Sequence, residues 1–367
     1  MTLRLGTRRS RLATTQSRWV ADRLAEHGHD CELVEVTTFG DTSSAPLTSI
    51  GGTGVFVSAL RQALLEEEID LAVHSLKDLP VAPEPGLVIA AIPTREDPRD
   101  VLVARDGLRL HELPRGAVVG TGSPRRAAQL AALGLGLQVR PVRGNVDTRI
   151  NLVRSGELDA VVLARAGLAR LGRLEEVTDT LESEQVLNAA GQGALAVECR
   201  ADDPATVKVL RQVDDPRSRA EASAERALLA RLEAGCTAPI GARARVSMTG
   251  HAGQPVLRLD AFIGREDGTA ALRRSRSGKV TEADVVGREL AEVLLADGAA
   301  ALVDAGDLPG VSPAAARPRP DAHGTIASQA HPSPAVPPPD TPGVTGPPPE
   351  APSPASRPDD TVTERAQ

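Results

Sequence analysis

The sequence predicts an α/β protein made of two similar strand–helix units, a smaller α+β unit and a disordered tail. Three observations carry this. Short apolar runs alternate with amphipathic stretches between residues 3 and 104, and again between 117 and 163. That alternation indicates largely parallel sheets. After residue 194 it gives way to a long helical stretch and three β-like runs. From Pro309 to Gln367 the chain holds 16 of its 29 prolines, and Ile326 is the one large apolar residue apart from valines. Such a stretch cannot bury enough surface to offset the entropy of ordering.

In order, Leu3–Gly6 reads as a strand and Ser10–His27 as a helix, followed by strand Glu32–Thr37. Val55–Glu68 reads as a helix, because Leu60, Leu64 and Leu65 share one face. Asp70–His74 is a short buried strand, and Leu87–Ile92 and Asp100–Ala104 are two more. The second set is strand Ala117–Thr121, helix Pro124–Leu133, strand Gln138–Pro141, helix Val146–Ser155 and strand Ala160–Leu163. Then come strand Leu195–Cys199, a helix over Pro204–Val213, a long helix Ser218–Ala234 stopped by Gly235, the three β-like runs, and a helix over Ala283–Leu295.

Composition excludes several functions. With 42 Lys+Arg against 49 Asp+Glu the formal charge is −7, and the aromatic rings are one Trp, three Phe and no Tyr. Sequence-independent nucleic-acid binding needs a basic groove and stacking rings, so it is not expected. No run of 18 apolar residues exists, so no membrane span is expected. The opening MTLRLGTRRS runs from apolar to basic, the reverse of a signal peptide, and points to the cytoplasm. Cys31, Cys199 and Cys236 are an odd number, set far apart, which suits a reducing compartment without disulfides. No Cys/His cluster suggests a metal. All but three of the basic residues are Arg, the side chain that grips carboxylates and phosphates bidentately.

Four constellations carry chemistry. In Gly120-Thr121-Gly122-Ser123-Pro124-Arg125-Arg126, Ser123 suits an N-cap and Pro124 the first helical position. The turn reads either as an anion site with two guanidiniums beside it or as a capped helix with solvated arginines. Similar basic turns recur at Thr7-Arg8-Arg9-Ser10-Arg11 and at Arg140-Pro141-Val142-Arg143-Gly144-Asn145 with Arg149. Helix-starting ends of α/β strands converge on one cleft, which favours a ligand with several negative groups. Gly51-Gly52-Thr53-Gly54 lacks the Gly-Lys-Ser/Thr ending of a phosphate loop. His74-Ser75-Leu76-Lys77-Asp78-Leu79-Pro80 places Lys77 and Asp78 at the end of a core strand, as a surface ion pair or as working groups in a cleft. Gly235-Cys236-Thr237-Ala238-Pro239-Ile240-Gly241 puts Cys236 in a loop, as a core thiol or an attachment point; Cys31 and Cys199 read as core. Gly191-Gln192-Gly193 suits a hinge or a close backbone approach.

These runs, with Arg95-Glu96-Asp97-Pro98-Arg99-Asp100, Gly144-Asn145-Val146-Asp147-Thr148 and the residues between them, follow family order over residues 1–305 and resemble the porphobilinogen deaminases. The resemblance implies a transferase of haem biosynthesis. It would join four porphobilinogen molecules head to tail into hydroxymethylbilane, releasing four ammonia, on a dipyrromethane cofactor. It implies two α/β domains like those of periplasmic binding proteins (residues 1–93 with 194–211, and 99–187), an α+β cofactor-attachment domain over 216–305, and the proline-rich tail over 309–367. By the match, Cys236 bears the cofactor through a thioether. Lys77, Asp78, Thr121, Ser123, Arg125, Arg126, Arg143 and Arg149 hold the cofactor. Arg8, Ser10, Arg143, Arg149 and Gln192 hold substrate. Asp78 protonates the departing amine and stabilises the azafulvenium cation left behind. A monomer is implied as well. Ser49, Thr53 and Ser58 stand where the family often has lysines, Gly122 where it often has serine, and Arg165 where a small residue is usual. The competing reading is a cytoplasmic binding protein for a small polyanionic solute.

Overall fold

The apolar runs form two five-stranded sheets of one topology and a third sheet of three strands. The computed structural model describes residues 2–36, 54–233, 238–248 and 254–302. The tail expected over 309–367 lies outside them. In the first sheet, β1 (Leu3–Thr7), β2 (Cys31–Glu35), β3 (Leu71–Ser75) and β4 (Leu87–Ala91) run in one direction. In the second, β6 (Val118–Gly120), β7 (Gln138–Arg140), β8 (Ala160–Ala164) and β9 (Asp179–Leu181) do the same. Each sheet takes one antiparallel strand. β5 (Asp100–Ala104) lies between β8 and β9, and β10 (Leu195–Arg200) between β3 and β4. The orders are β2-β1-β3-β10-β4 and β7-β6-β8-β5-β9, so the fold is the expected pair of like α/β units.

Helices cover both faces of each sheet, which is why strands such as Val101–Ala104 are apolar throughout. In the first sheet, α1 (Arg11–Ala25) buries Val20 and Leu24 against Leu3, Leu5 and Leu71, joined by Leu210 of α6 (Pro204–Leu210). α2 (Gly54–Leu65) packs Leu60 and Leu64 on the opposite face. In the second sheet, α3 (Pro124–Ala132) sends Leu130 to one face, and α4 (Val146–Arg154) sends Ile150 and Val153 to the other. The short α5 (Arg165–Arg170) follows β8 directly.

The third unit packs α7 (Pro216–Arg231) and α8 (Ala283–Ala296) on β11 (Ile240–Ser247), β12 (Val256–Gly264) and β13 (Ala271–Lys279), through Leu228, Leu257, Leu259 and Leu290. α7 begins two residues earlier than the sequence pattern suggests. Asp215 caps it by accepting from the Ser218 N–H at 2.7 Å, and Pro216 takes the first helical position. It also stops earlier, with Glu233 in the left-handed region (φ 53°). Among the described residues no helix is long and apolar enough to cross a membrane.

The chain passes between the two α/β units twice, through residues 92–99 and 182–194. These crossovers touch: the Glu96 N–H donates to the Gly193 carbonyl at 3.3 Å. Glu225 of α7, fully buried, joins them to the third unit by accepting from both Arg95 Nη atoms at 2.9 Å, from Gly191 N at 2.7 Å and from Ala244 N at 2.8 Å. Gly193 has φ 86°, and a Cβ there would stand 2.4 Å from the Glu96 carbonyl oxygen. Gly193→Ala is therefore expected to lower stability by about 1–2 kcal/mol from backbone conformation alone, with the clash added. Urea unfolding checks it, and an unchanged midpoint would contradict it.

Candidate active site

Strand β3 ends in a single 3₁₀ turn, Leu76–Asp78, because Leu76 is buried and Pro80 blocks a longer helix. The turn lifts Lys77 and Asp78 off the sheet into two adjoining cavities. The first, of about 210 Å³, is lined by Lys77, Asp78, Arg126, Arg149, Arg170 and Gln192, among others. The second, of about 350 Å³, takes Arg8, His74 and Gly144 and shares Asp78, Arg149, Gln16 and Ser75 with the first. All three basic turns thus meet around one carboxylate, one from the first sheet and two from the second.

Under this site lies Asp100, fully buried at the start of β5. It forms an ion pair with Arg125 Nη1 at 2.8 Å and accepts from Arg126 Nη2 at 2.7 Å and Gln192 Nε2 at 2.9 Å. Burial pushes its pKa up, but the two guanidiniums outweigh this and hold it well below the usual carboxylate range. Gln192 also donates to the Pro98 carbonyl at 2.7 Å, while its Oε1 is buried with no hydrogen-bond partner. A buried acceptor of this kind is an opening for a ligand N–H.

The cavity cations are strained by desolvation. Burial pulls the Lys77 pKa down; Asp78 opposes this, and Arg126 adds to it. Burial and then Arg126 lower Arg149. Burial lowers Arg170 to about 10, against the charge of Glu96. Each would gain by meeting an anion. Asp100→Ala would leave Arg125 and Arg126 buried without their carboxylate. We expect a loss of about 3–5 kcal/mol in urea unfolding; a loss under about 1 kcal/mol would reduce the cluster to surface-pair value.

The remaining candidates lie elsewhere. Arg125 is buried on Asp100 and the Leu187 carbonyl and lines neither cavity. Thr121 is buried and accepts from the Ser123 N–H at 3.2 Å. Ser123 stands at the N-cap of α3, but its side chain makes no capping hydrogen bond, so the expected cap is not formed. Ser10 does cap α1, accepting from Ala13 N at 3.3 Å, and is exposed, as is Arg143. A Cβ at Gly122 would lie 2.6 Å from the Val142 carbonyl, so the turn has no room for a serine as it stands. Arg165 pairs with Glu96 at 3.3 Å and Asp97 at 3.7 Å, so it is a crossover clamp and not a cavity cation. Ser58 is exposed on α2, and Ser49 and Thr53 lie outside the described residues.

Cys236 also lies outside the described residues; Ala238 lines a further cavity of about 250 Å³ that includes Lys77. Burial raises the other two thiols, Cys31 to about 11 and Cys199 to about 12, which disfavours the thiolate of each at neutral pH.

Two residues escaped the sequence reading. Arg170 reaches the cavity from α5 and donates to the Gly193 carbonyl at 2.6 Å. Its helix is too short to announce itself. The one sequence signal for Asp100 is that an acid opens an otherwise apolar strand.

Two family models match the chain. "Porphobilinogen deaminase, dipyromethane cofactor binding domain" covers residues 3–208, and "Porphobilinogen deaminase, C-terminal domain" covers 220–296. Porphobilinogen deaminase 1 of Streptomyces coelicolor is 57% identical over 310 residues, 82% of this chain and 97% of that protein. Porphobilinogen deaminase of Mycobacterium avium is 55% identical over 304 residues, 82% of this chain and 96% of that protein. Among solved structures, lipoprotein Tp32 of Treponema pallidum aligns with a TM-score of 0.38 and 13% identity, over 58% of this chain and 90% of its own.

Proposed function

The chain belongs to the porphobilinogen deaminase family, and on that premise we propose that the two adjoining cavities hold the pyrrole rings with Asp78 at the reacting nitrogens. The chain is a transferase of haem and porphyrin biosynthesis that acts on porphobilinogen with a dipyrromethane cofactor. The observation that carries the site assignment is the gathering of Asp78, Lys77, Arg126, Arg149 and Arg170 from two sheets around one space. The donor set fits the cofactor. Each pyrrole unit brings an acetate and a propionate, and desolvated guanidiniums with an ammonium are their complement. The buried Gln192 Oε1 adds an acceptor for a ring N–H. When bound, the dipyrromethane supplies the free pyrrole carbon to which the first substrate is joined.

Lys77, Arg126 and Arg149 are assigned to cofactor carboxylates, and Arg8, Arg149 and Arg170 to those of the incoming substrate. Arg125 acts through Asp100 by fixing Arg126. Ser123, Arg143 and Ser10, at neighbouring helix starts, form the outer part of the receptor, and the buried Thr121 braces the turn by accepting from the Ser123 N–H. Asp78 gives a proton to the aminomethyl nitrogen as it leaves as ammonia. As a carboxylate it then accepts from the ring N–H that shares the positive charge, which lowers the barrier where charge develops. Cys236 is the attachment point. We divide the chain into residues 1–93 with 194–211, 99–187, and 216–305, and place it in the cytoplasm as a monomer.

The test is turnover. Purified enzyme given porphobilinogen should release four ammonia for each hydroxymethylbilane formed. Binding of porphobilinogen without ammonia release would favour the solute-binding alternative and overturn this reading.

A further inference from the structure

A separate cavity of about 620 Å³ lies between crossover residues 94–98, the first turns of α7 and the outer face of the three-stranded sheet. Strand alternation in β11 turns Ala242 and Ala244 to the core and leaves Arg243 and Arg245 on the outer face. Pairing with β12 sets Arg243 opposite Asp260, and Arg245 opposite Arg258. Two like charges directly opposite each other repel. Asp260 relieves them by taking Arg245 and Arg258 together, each at 2.8 Å.

Arg243 receives no such relief. Its Nε and Nη1 are buried and have no hydrogen-bond partner. Burial lowers its pKa, an effect that Glu225 opposes and Arg95 adds to. The carboxylates lining the cavity are committed elsewhere. Glu96 takes Arg165, and Asp97 takes Arg99 at 2.7 Å. Glu221 accepts from Val246 N and Arg217 Nε, both at 3.1 Å, and Asp215 caps α7. Leaving a buried charged donor unmet costs more than one made hydrogen bond returns. An acceptor entering from the cavity removes that cost.

We propose that this cavity binds a small oxyanion, a phosphate or carboxylate group, gripped by Arg243 and flanked by Arg245 and Arg258. None of the three lines the Asp78 cavities, so the site is distinct from the catalytic one. Its wall includes residues 94–98 of the crossover between the two α/β units.

Calorimetric titration of the holoenzyme with inorganic phosphate, and separately with acetate, tests this and tells a phosphoryl from a carboxylate preference. Wild type is expected to bind one of the two saturably. Arg243→Met should weaken that binding by about tenfold or more, the loss of a charge-assisted pair, and leave kcat and KM for porphobilinogen unchanged. Arg258→Gln, at a half-exposed position, should weaken it by a smaller factor and serves if Arg243→Met does not fold. No saturable binding of either ion would overturn the proposal. Equal affinity in wild type and variants would do so too, by putting the ion in the catalytic cavity.

Discussion

Cys236→Ser is expected to yield a folded protein lacking the covalent mass of two pyrrole units, with turnover reduced by about 10³-fold or more. The argument rests on the three thiols. Cys199 is fully buried, and burial raises the pKa of both Cys31 and Cys199, which disfavours the thiolate at each and makes them the poorer attachment points. In sequence Cys236 comes after α7, and Ala238, two residues on, shares a cavity with Lys77. A hydroxyl is a far weaker nucleophile than a thiol at neutral pH, so serine does not take the attachment over. Losing the tether turns an intramolecular reaction into a bimolecular one, which accounts for the size of the effect. Intact mass and circular dichroism read the result. An unmodified wild-type mass in protein from porphobilinogen-competent cells, or mass retained in Cys236→Ser, would refute the assignment.

Asp78→Ala is expected to lower kcat by about 10²–10⁴-fold with little change in KM, the range for losing an acid/base group that also stabilises developing charge. The 3₁₀ turn is held by Leu76 and Pro80, so the fold should survive. Asp78→Asn keeps the shape and loses the charge; it should fall nearly as far. Ammonia release measures both. Near-normal turnover in either variant would remove Asp78 from the reaction.

Much of this was readable in advance, for identifiable reasons. Strands buried on both faces are continuous apolar runs, so β3, β5, β8 and β10 were legible to within a residue or two. β9 was not, since Asp-Thr-Leu is too short and too polar to stand out. Nor was α5, six residues containing Gly167. At the site, basic turns could be recognised one at a time. What local spacing cannot reveal is which arginines spend their charge inside the protein. Arg125 and Arg126 are neighbours in sequence, yet only Arg126 lines the cavity. That division depends on Asp100, which the fold brings under them from another strand.

The placement of β10 also bears on how the chain is made. The second sheet is contiguous from residue 100 to 181 and has every strand once α5 and β9 have been synthesised. The first sheet waits for residues 195–200, and until they arrive β3 presents an unpaired edge and β4 has no partner strand. On the ribosome the later sheet can therefore close before the earlier one. In that interval the open edge of β3 and the unpaired β4 are the strands that other chains could add to.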